Sequence, residues 1–164
     1  MHMPQDQLQI YSPKSPSDME SVRCLFRDYA NSLKVDLCFQ NFEAELSSLP
    51  GEYASPRGAL LVALSAEAVA GCCALRPLDN VDFPNACEMK RLFVRPAFRG
   101  KGIGRLLVEA VMDCARLSSY NHILLDTLTE METARALYEE LGFIEIAPYY
   151  FNPLEGAHYL MAKL

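Results

Sequence analysis

Residues Arg99 to Gly104 form the segment of this chain that is best suited to bind a ligand. They read Arg-Gly-Lys-Gly-Ile-Gly and open a stretch with strong helical periodicity. Glycines let the backbone approach a ligand closely, and the first amide N–H groups of a helix have no partner within it. Because the helix dipole favours negative charge at that end, the segment predicts a phosphate or diphosphate site. The alternative is a glycine-rich turn that only lets the helix pack on a sheet.

Two other phosphate-binding motifs fit this segment less well. A Walker loop requires Ser or Thr after Gly-Lys, whereas Lys101 is followed by Gly102. The dinucleotide fingerprint requires glycine where the chain has Arg105. Asp126 lies about far enough downstream to bind a ribose, so a nucleotide-dependent oxidoreductase remains an alternative.

Apolar periodicity predicts the elements that would position this loop. The helix after Gly102 has the clearest stripe, expected to be buried at Ile103, Leu106, Leu107, Ala110, Val111 and Cys114. Ser17 and Glu20 suggest a capping box for an earlier helix. Phe39, Phe42, Leu46 and Leu49 suggest a second short helix, and Ala134, Leu137, Tyr138 and Leu141 another, closed by Gly142. Strands are predicted at Leu8–Tyr11, Ala59–Ser65, Ala68–Arg76, Cys87–Val94, His122–Leu125, Phe143–Ile146 and Ala157–Leu164.

Composition bounds the class of protein. With 51% hydrophobic and 22% charged residues, the chain is expected to fold as one domain over residues 8–164. No apolar run approaches the ~20 residues that a membrane span needs, so no membrane partner is expected. The net charge of −6 argues against a nucleic-acid partner. The first residues do not resemble a secretory signal, which favours a cytoplasmic location.

The six cysteines do not have the spacing of a disulfide framework or a metal site. There is no Cys-x-x-Cys, and the adjacent Cys72 and Cys73 would point to opposite faces of a strand. We therefore expect buried thiols that act as small apolar side chains, and no metal.

Two motifs resemble the GNAT superfamily of N-acetyltransferases. Arg99–Gly104 matches the acetyl-CoA-binding pattern R/Q-x-x-G-x-G/A and follows the predicted strand that ends at Val94. Ala136–Phe143 looks like the later signature A-x-x-L-Y-x-x-L-G-F. Both occur in the family's order, and the resemblance covers nearly the whole chain.

The resemblance implies an α+β fold: a single-domain mixed β-sheet with helices on both faces and splayed central parallel strands, here Cys87–Val94 and His122–Leu125. It also implies acetyl-CoA as cosubstrate, with no metal. The backbone of Phe93 and Val94 would pair with the pantetheine arm. The amides of the loop would hold the diphosphate; these belong to Arg99, Gly100, Lys101, Gly102, Ile103 and Gly104. Met131 departs from the family, since many members have asparagine there.

By the same resemblance, the activity would be transfer of an acetyl group to a primary amine by direct attack. An alkyl amine of pKa ~10.4 is only about one part in a thousand neutral at pH 7, so a base is useful. Glu88 stands where the family often has that base, and an ordered water is the alternative. Tyr138 stands where the family often has the acid that protonates the departing thiolate. A non-catalytic CoA-sensing module of the same fold is the second class of function.

The acceptor is predicted only as a small-molecule or peptide amine. Tyr149, Tyr150 and Asn152 lie in the predicted loop between the last two strands, where the family often builds substrate contacts. Arg76 and Arg91 could bind an acceptor's carboxylate, or they could be surface charges. Whether the chain acts alone or as a homodimer is left open.

Overall fold

One mixed sheet organises the residues that the computed structural model describes, which are 7–33, 37 and 41–164. In this part of the chain the sheet has seven strands, in the order β1-β2-β3-β4-β5-β7-β6. The strands are β1 Leu8–Tyr11, β2 Ala59–Ser65, β3 Ala68–Leu78, β4 Ala86–Val94, β5 His122–Leu128, β6 Ile144–Ile146 and β7 Ala157–Lys163. The helices are α1 Pro16–Leu33, α2 Phe42–Ser48, α3 Ile103–Leu117 and α4 Glu132–Glu140. β4 and β5 are parallel, and the other neighbours are antiparallel.

The sheet separates two hydrophobic cores. α3 and α4 pack on one face, where Cys73 is buried, and α1 and α2 pack on the other with Cys72. Adjacent strand residues point to opposite faces, so neighbouring cysteines reach different cores. A mixed sheet with helices on both faces is the predicted architecture, which is thereby confirmed.

α1 begins with a capping box, two residues earlier than predicted. The Asp18 N–H donates to Ser15 Oγ at 3.0 Å, and the Ser15 N–H donates to Asp18 Oδ2 at 3.2 Å. Pro16 is the first helical residue, where its missing N–H costs no helical hydrogen bond. The prediction of Ser17 and Glu20 as the capping pair was therefore wrong.

α3 packs on β2, β3 and β4 through a stripe that is rotated from the predicted one. Val108 and Met112 are buried, whereas Leu106 is 42% exposed. The expectation that Leu106 lies in the buried stripe was wrong, because the helix face that meets the sheet runs through Ile103, Leu107 and Val111.

The five cysteines in the described residues carry free thiols, and three of them, Cys72, Cys73 and Cys87, are buried. Cys38 and Phe39, the latter predicted in the second helix, lie outside the described residues. None of the helices in the described part of the chain has the length and apolar character needed to cross a membrane.

Candidate active site

β4 and β5 pair only at their first residues and then separate. The paired positions are Ala86 with His122, Cys87 with Ile123 and Glu88 with Leu124. β4 continues to Val94 and β5 to Leu128 without further pairing between them. The main-chain groups that β4 turns toward β5 beyond Glu88 therefore have no β5 partner, and a gap opens between the strands.

A bulge in β4 lies beside this gap. The register with β3 shifts near Cys72, and Arg91 has a positive φ of 64°. Bulges bend a strand and re-aim its side chains, and a positive φ is strained for a residue other than glycine. Across from the bulge, a Cβ on Gly71 would lie 2.4 Å from the Phe93 carbonyl oxygen, so only glycine fits there.

Buried contacts hold Arg91 in the strained conformation. Its Nε and Nη2 donate to the two carboxylate oxygens of Glu45 in α2, each at 2.9 Å. Its guanidinium also lies over the rings of Phe42 and Tyr29, at 5.3 and 6.0 Å from their centroids. Arg91 is 3% exposed, so it links α2 to the bulge. The expected contact of Arg91 with a substrate carboxylate would require displacement of Glu45.

The glycine loop presents free amides at the start of α3. Gly100 and Gly102 have φ of +80° and +79°, and a Cβ added to either would meet nothing within 4 Å. Within the described residues, the N–H groups from Gly100 to Gly104 donate to no carbonyl or side chain. The Arg99 N–H differs, because it donates to the Pro96 carbonyl at 3.3 Å. Five amides and the α3 dipole are therefore available to an anion.

Three neighbouring cavities lie between the loop and Glu88. A long groove of about 810 Å³ runs from the glycine loop past Phe93, Val94 and the start of α4. A neck of about 40 Å³ lies inside the β4–β5 gap and shares Leu92 and Met131 with the long groove. A side cavity of about 450 Å³ has Glu88 in its wall and shares Lys90 with the neck. The neck is therefore lined in part by residues of both larger cavities.

Met131, which replaces the family's usual asparagine, lines both the long groove and the neck. The Thr127 hydroxyl donates to its sulfur at 3.7 Å. Met131 therefore forms an apolar wall at the start of α4, without the hydrogen bond that an asparagine side chain could offer a ligand.

Glu88 is fully buried and its carboxylate is held from both sides. Oε1 accepts from Arg76 Nε at 2.7 Å, and Oε2 accepts from the Tyr149 hydroxyl at 2.6 Å. Burial alone would raise the pKa of Glu88, but the positive charges of Lys90 and Arg76 outweigh it and lower the pKa below its ordinary value. Glu88 is therefore ionised at neutral pH and is a weak base.

Tyr138 lines the neck but not the side cavity. It is 4% exposed, and its ring packs against Phe143 with centroids 5.6 Å apart. Its hydroxyl makes no hydrogen bond with any described residue, and burial raises its pKa well above 10. The sequence favoured Tyr138 as the acid, with a core aromatic as the alternative. In the structure Tyr138 belongs to the hydrophobic core beside α3 and also lines the neck, so its role as the acid stays a prediction.

The remaining predicted acceptor contacts lie around the side cavity and the neck. Arg76 borders the side cavity, but it is paired with Glu52 at 2.7 Å as well as with Glu88. Tyr150 also borders this cavity, and its hydroxyl donates to Asp126. Asn152 is buried, donates to Asp126 Oδ2 at 2.9 Å and so fixes the loop before β7.

Asp126 bears on the nucleotide alternative. It borders the neck rather than the long groove at the glycine loop, and Tyr150 and Asn152 occupy its carboxylate. This position does not suit the ribose contact that the dinucleotide interpretation required.

Two functional candidates were missed at the level of sequence. Lys90 was not among the sequence candidates, although strand alternation places it on the same face of β4 as Glu88. Glu45 of α2 was not singled out, because nothing local connects it with Arg91, which lies far along the chain.

Comparison with known proteins identifies the class. The model of the acetyltransferase (GNAT) family matches residues 20–143. An uncharacterised N-acetyltransferase of Schizosaccharomyces pombe is 35% identical over 158 residues, covering 96% of this chain and 95% of the relative. The chain belongs to the GNAT acetyltransferase family, which places it among the N-acetyltransferases.

Solved structures agree on the fold. An acetyltransferase from Streptococcus agalactiae superposes with a TM-score of 0.77 at 22% identity, covering 96% of this chain and 99% of that one. A Salmonella typhimurium protein solved with its cofactor acetyl-CoA has a TM-score of 0.68 at 19% identity, covering 96% and 94%. The predicted GNAT fold is confirmed.

Proposed function

We propose that this enzyme transfers an acetyl group from acetyl-CoA to a primary amine of a small molecule or peptide. The observation that carries the proposal is the β4–β5 gap, whose cavity shares lining residues with the groove at the anion-binding loop and with the cavity that has Glu88 in its wall. Acetyl-CoA would supply a thioester-activated acetyl group at that gap. The acetyl-CoA complex of the Salmonella typhimurium protein, which has the same fold, supports this choice of donor.

The residues present fit this cosubstrate. Five unpaired amides from Gly100 to Gly104 suit a diphosphate, since charge-assisted hydrogen bonds contribute about 1.5–3 kcal/mol each. The long groove continues along Phe93 and Val94, where the pantetheine arm is proposed to lie. Arg99 contributes through its side chain rather than its amide. Its Nε donates to the Val94 carbonyl at 3.0 Å and so attaches the loop to β4.

Glu88 is proposed to take the proton of the acceptor amine, directly or through a water. As an ionised carboxylate it attracts the ammonium form in which an amine arrives. Its lowered pKa means that it holds the proton weakly, so the proton must pass on to solvent through the side cavity.

Tyr138 is proposed to donate its hydroxyl proton toward the departing thiolate. Its raised pKa keeps the phenol protonated at neutral pH, and no described residue competes for that proton. The neighbouring Met131 and Leu128 exclude water from this end of the neck, which strengthens a hydrogen bond formed there.

The test is release of CoA thiol from acetyl-CoA with a panel of amino acids, polyamines, aminoglycosides and peptides. We expect turnover with one class, strongly reduced in Glu88→Gln and Tyr138→Phe. If acetyl-CoA binds and every acceptor fails with the unmodified protein, the non-catalytic CoA-sensing module is correct instead. Tight binding of NAD(H) without binding of acetyl-CoA, measured by calorimetry, would establish the oxidoreductase.

A further inference from the structure

Lys90 occupies the junction between the neck and the side cavity. Of the residues that the structure describes, it alone borders both cavities. It lies two positions after Glu88 on the same face of β4, opposite Ala74 of β3, and is partly buried. A group that reaches from the side cavity toward the β4–β5 gap would therefore lie beside Lys90.

Within the described part of the chain, the ammonium group of Lys90 makes no direct hydrogen bond or ion pair. A lysine carries three N–H donors, yet none of them makes a hydrogen bond or an ion pair with a described residue. The two carboxylates that act on it electrostatically are Glu88 and Asp126. Each oxygen of Glu88 accepts one hydrogen bond, from Arg76 or from Tyr149, and neither accepts one from Lys90.

The other nearby carboxylates also accept hydrogen bonds from groups other than Lys90. Tyr150 and Asn152 both donate to one oxygen of Asp126, Oδ2. Glu45 holds both of its oxygens against Arg91. It is unfavourable to remove an ammonium group from water without giving it a hydrogen-bond acceptor. Because Lys90 lies in a cavity wall, a ligand with a negatively charged group could supply that acceptor.

We propose that Lys90 binds a carboxylate of the acceptor, so that the acceptor is an amino-acid-like molecule with its amine close to that carboxylate. This inference rests on the proposed function. The two groups must be close because Lys90 lies at the neck, where the amine has to reach the acetyl donor. The side cavity then accommodates the rest of the molecule.

The same geometry selects against other amines. Arg76 and Arg91, the groups expected to bind a carboxylate, are each already paired with a glutamate, which leaves Lys90 for that role. A polyamine would bring further positive charge against the unpaired ammonium at the neck, which is unfavourable.

The test compares acceptors that differ only in the carboxylate. Thiol release from acetyl-CoA is measured with the full chain for a set of L-amino acids, each paired with its carboxamide. We expect kcat/KM for the best amino acid to exceed that of its amide by about tenfold or more, the effect of one charge-assisted hydrogen bond. In Lys90→Met that ratio falls to about one, because KM rises for the acid alone. Any change in Glu88, whose pKa Lys90 helps to lower, affects the acid and the amide alike and leaves the ratio unaltered.

Controls separate this role from folding and net charge. Lys163→Met removes an exposed lysine near the end of β7 and should leave the acid-to-amide ratio as in the unmodified protein. Thermal melts verify folding of each variant. If Lys90→Met does not fold, Lys90→Gln and the ratio in the unmodified protein test the same point.

Each contrary outcome has a distinct meaning. Equal rates for acids and amides in the unmodified protein overturn the role of Lys90 and leave the proposed function intact. An equal loss for acids and amides in Lys90→Met also overturns it, because Lys90 then acts on the amine or the fold. If no amine is acetylated at all, both the role and the proposed function fail.

Discussion

Replacing Gly102 by glutamate should abolish cosubstrate binding while leaving the fold intact. The new Cβ would meet nothing within 4 Å, so the destabilisation is confined to the positive φ of +79°, about 1–2 kcal/mol. The carboxylate would lie among the free amides and repel a diphosphate. Loss of two charge-assisted hydrogen bonds amounts to about 3–6 kcal/mol, or roughly two to four orders of magnitude in affinity.

Calorimetry with acetyl-CoA measures the affinity, and a thermal melt measures the stability. Gly142→Glu is the matched control, because Gly142 also has a positive φ of +94° with open space at its Cβ, but it lies after α4 and away from the long groove. It should lose similar stability and bind acetyl-CoA normally. S-acetylpantetheine, which lacks the diphosphate, should react equally with the unmodified protein and with Gly102→Glu. Unchanged acetyl-CoA affinity in Gly102→Glu, or an equal loss in Gly142→Glu, would refute the assignment of the diphosphate to these amides.

Three further predictions concern the neck and the side cavity. Tyr138→Phe should lower kcat by about 10²–10⁴-fold and leave the affinity for acetyl-CoA unchanged. The melting temperature should also stay the same, because the Tyr138 hydroxyl makes no hydrogen bond with a described residue. A large loss of stability would instead indicate a structural role. The rate should rise between pH 6 and 9 as the acceptor amine loses its proton, because the lowered pKa of Glu88 leaves that carboxylate already ionised in this range. A flat profile would show that proton removal does not limit turnover. Glu88→Gln should reduce the free energy of unfolding by about 1–3 kcal/mol at pH 7 through its weaker bond with Arg76. A carboxylate whose pKa is lowered on folding stabilises the protein above its unfolded pKa, and this stabilisation is lost as the pH falls through the folded pKa. In denaturant melts, the difference in unfolding free energy between the unmodified protein and Glu88→Gln should therefore shrink below about pH 4. A difference that stays constant at acidic pH would contradict the lowered pKa.

The sequence predicted those parts of the site that depend on neighbouring residues. The glycine loop could be recognised because six consecutive residues and the helix that follows them contain the anion site. The order of strands and helices could be predicted because each has its own apolar periodicity. The separation of β4 from β5 followed only from the resemblance to a family, since no property of either strand by itself indicates where their pairing stops.

Local alternatives were harder to rank. Ser15 and Ser17 both have an acidic residue three positions later, and the choice of Ser15 depends on where Pro16 begins the helix. Leu106 fits a helical stripe as well as Val108 does, and the packing of α3 against the sheet determines which is buried.

What the chain determined by itself is therefore the anion-binding loop, the elements around it and the class of chemistry. Only the tertiary structure decided which charged side chains near the site pair with one another. Arg76 and Arg91 are paired with glutamates, whereas Lys90 makes no ion pair with a described residue. Arg91 and Glu45 meet across 46 positions of the chain, and Arg76 meets Glu52 across 24. Pairs so distant form because helices pack on a sheet and unpaired buried charge is unfavourable, and neither cause acts locally. The position of Lys90, which makes no direct ion pair with a described residue, is equally invisible to local sequence patterns.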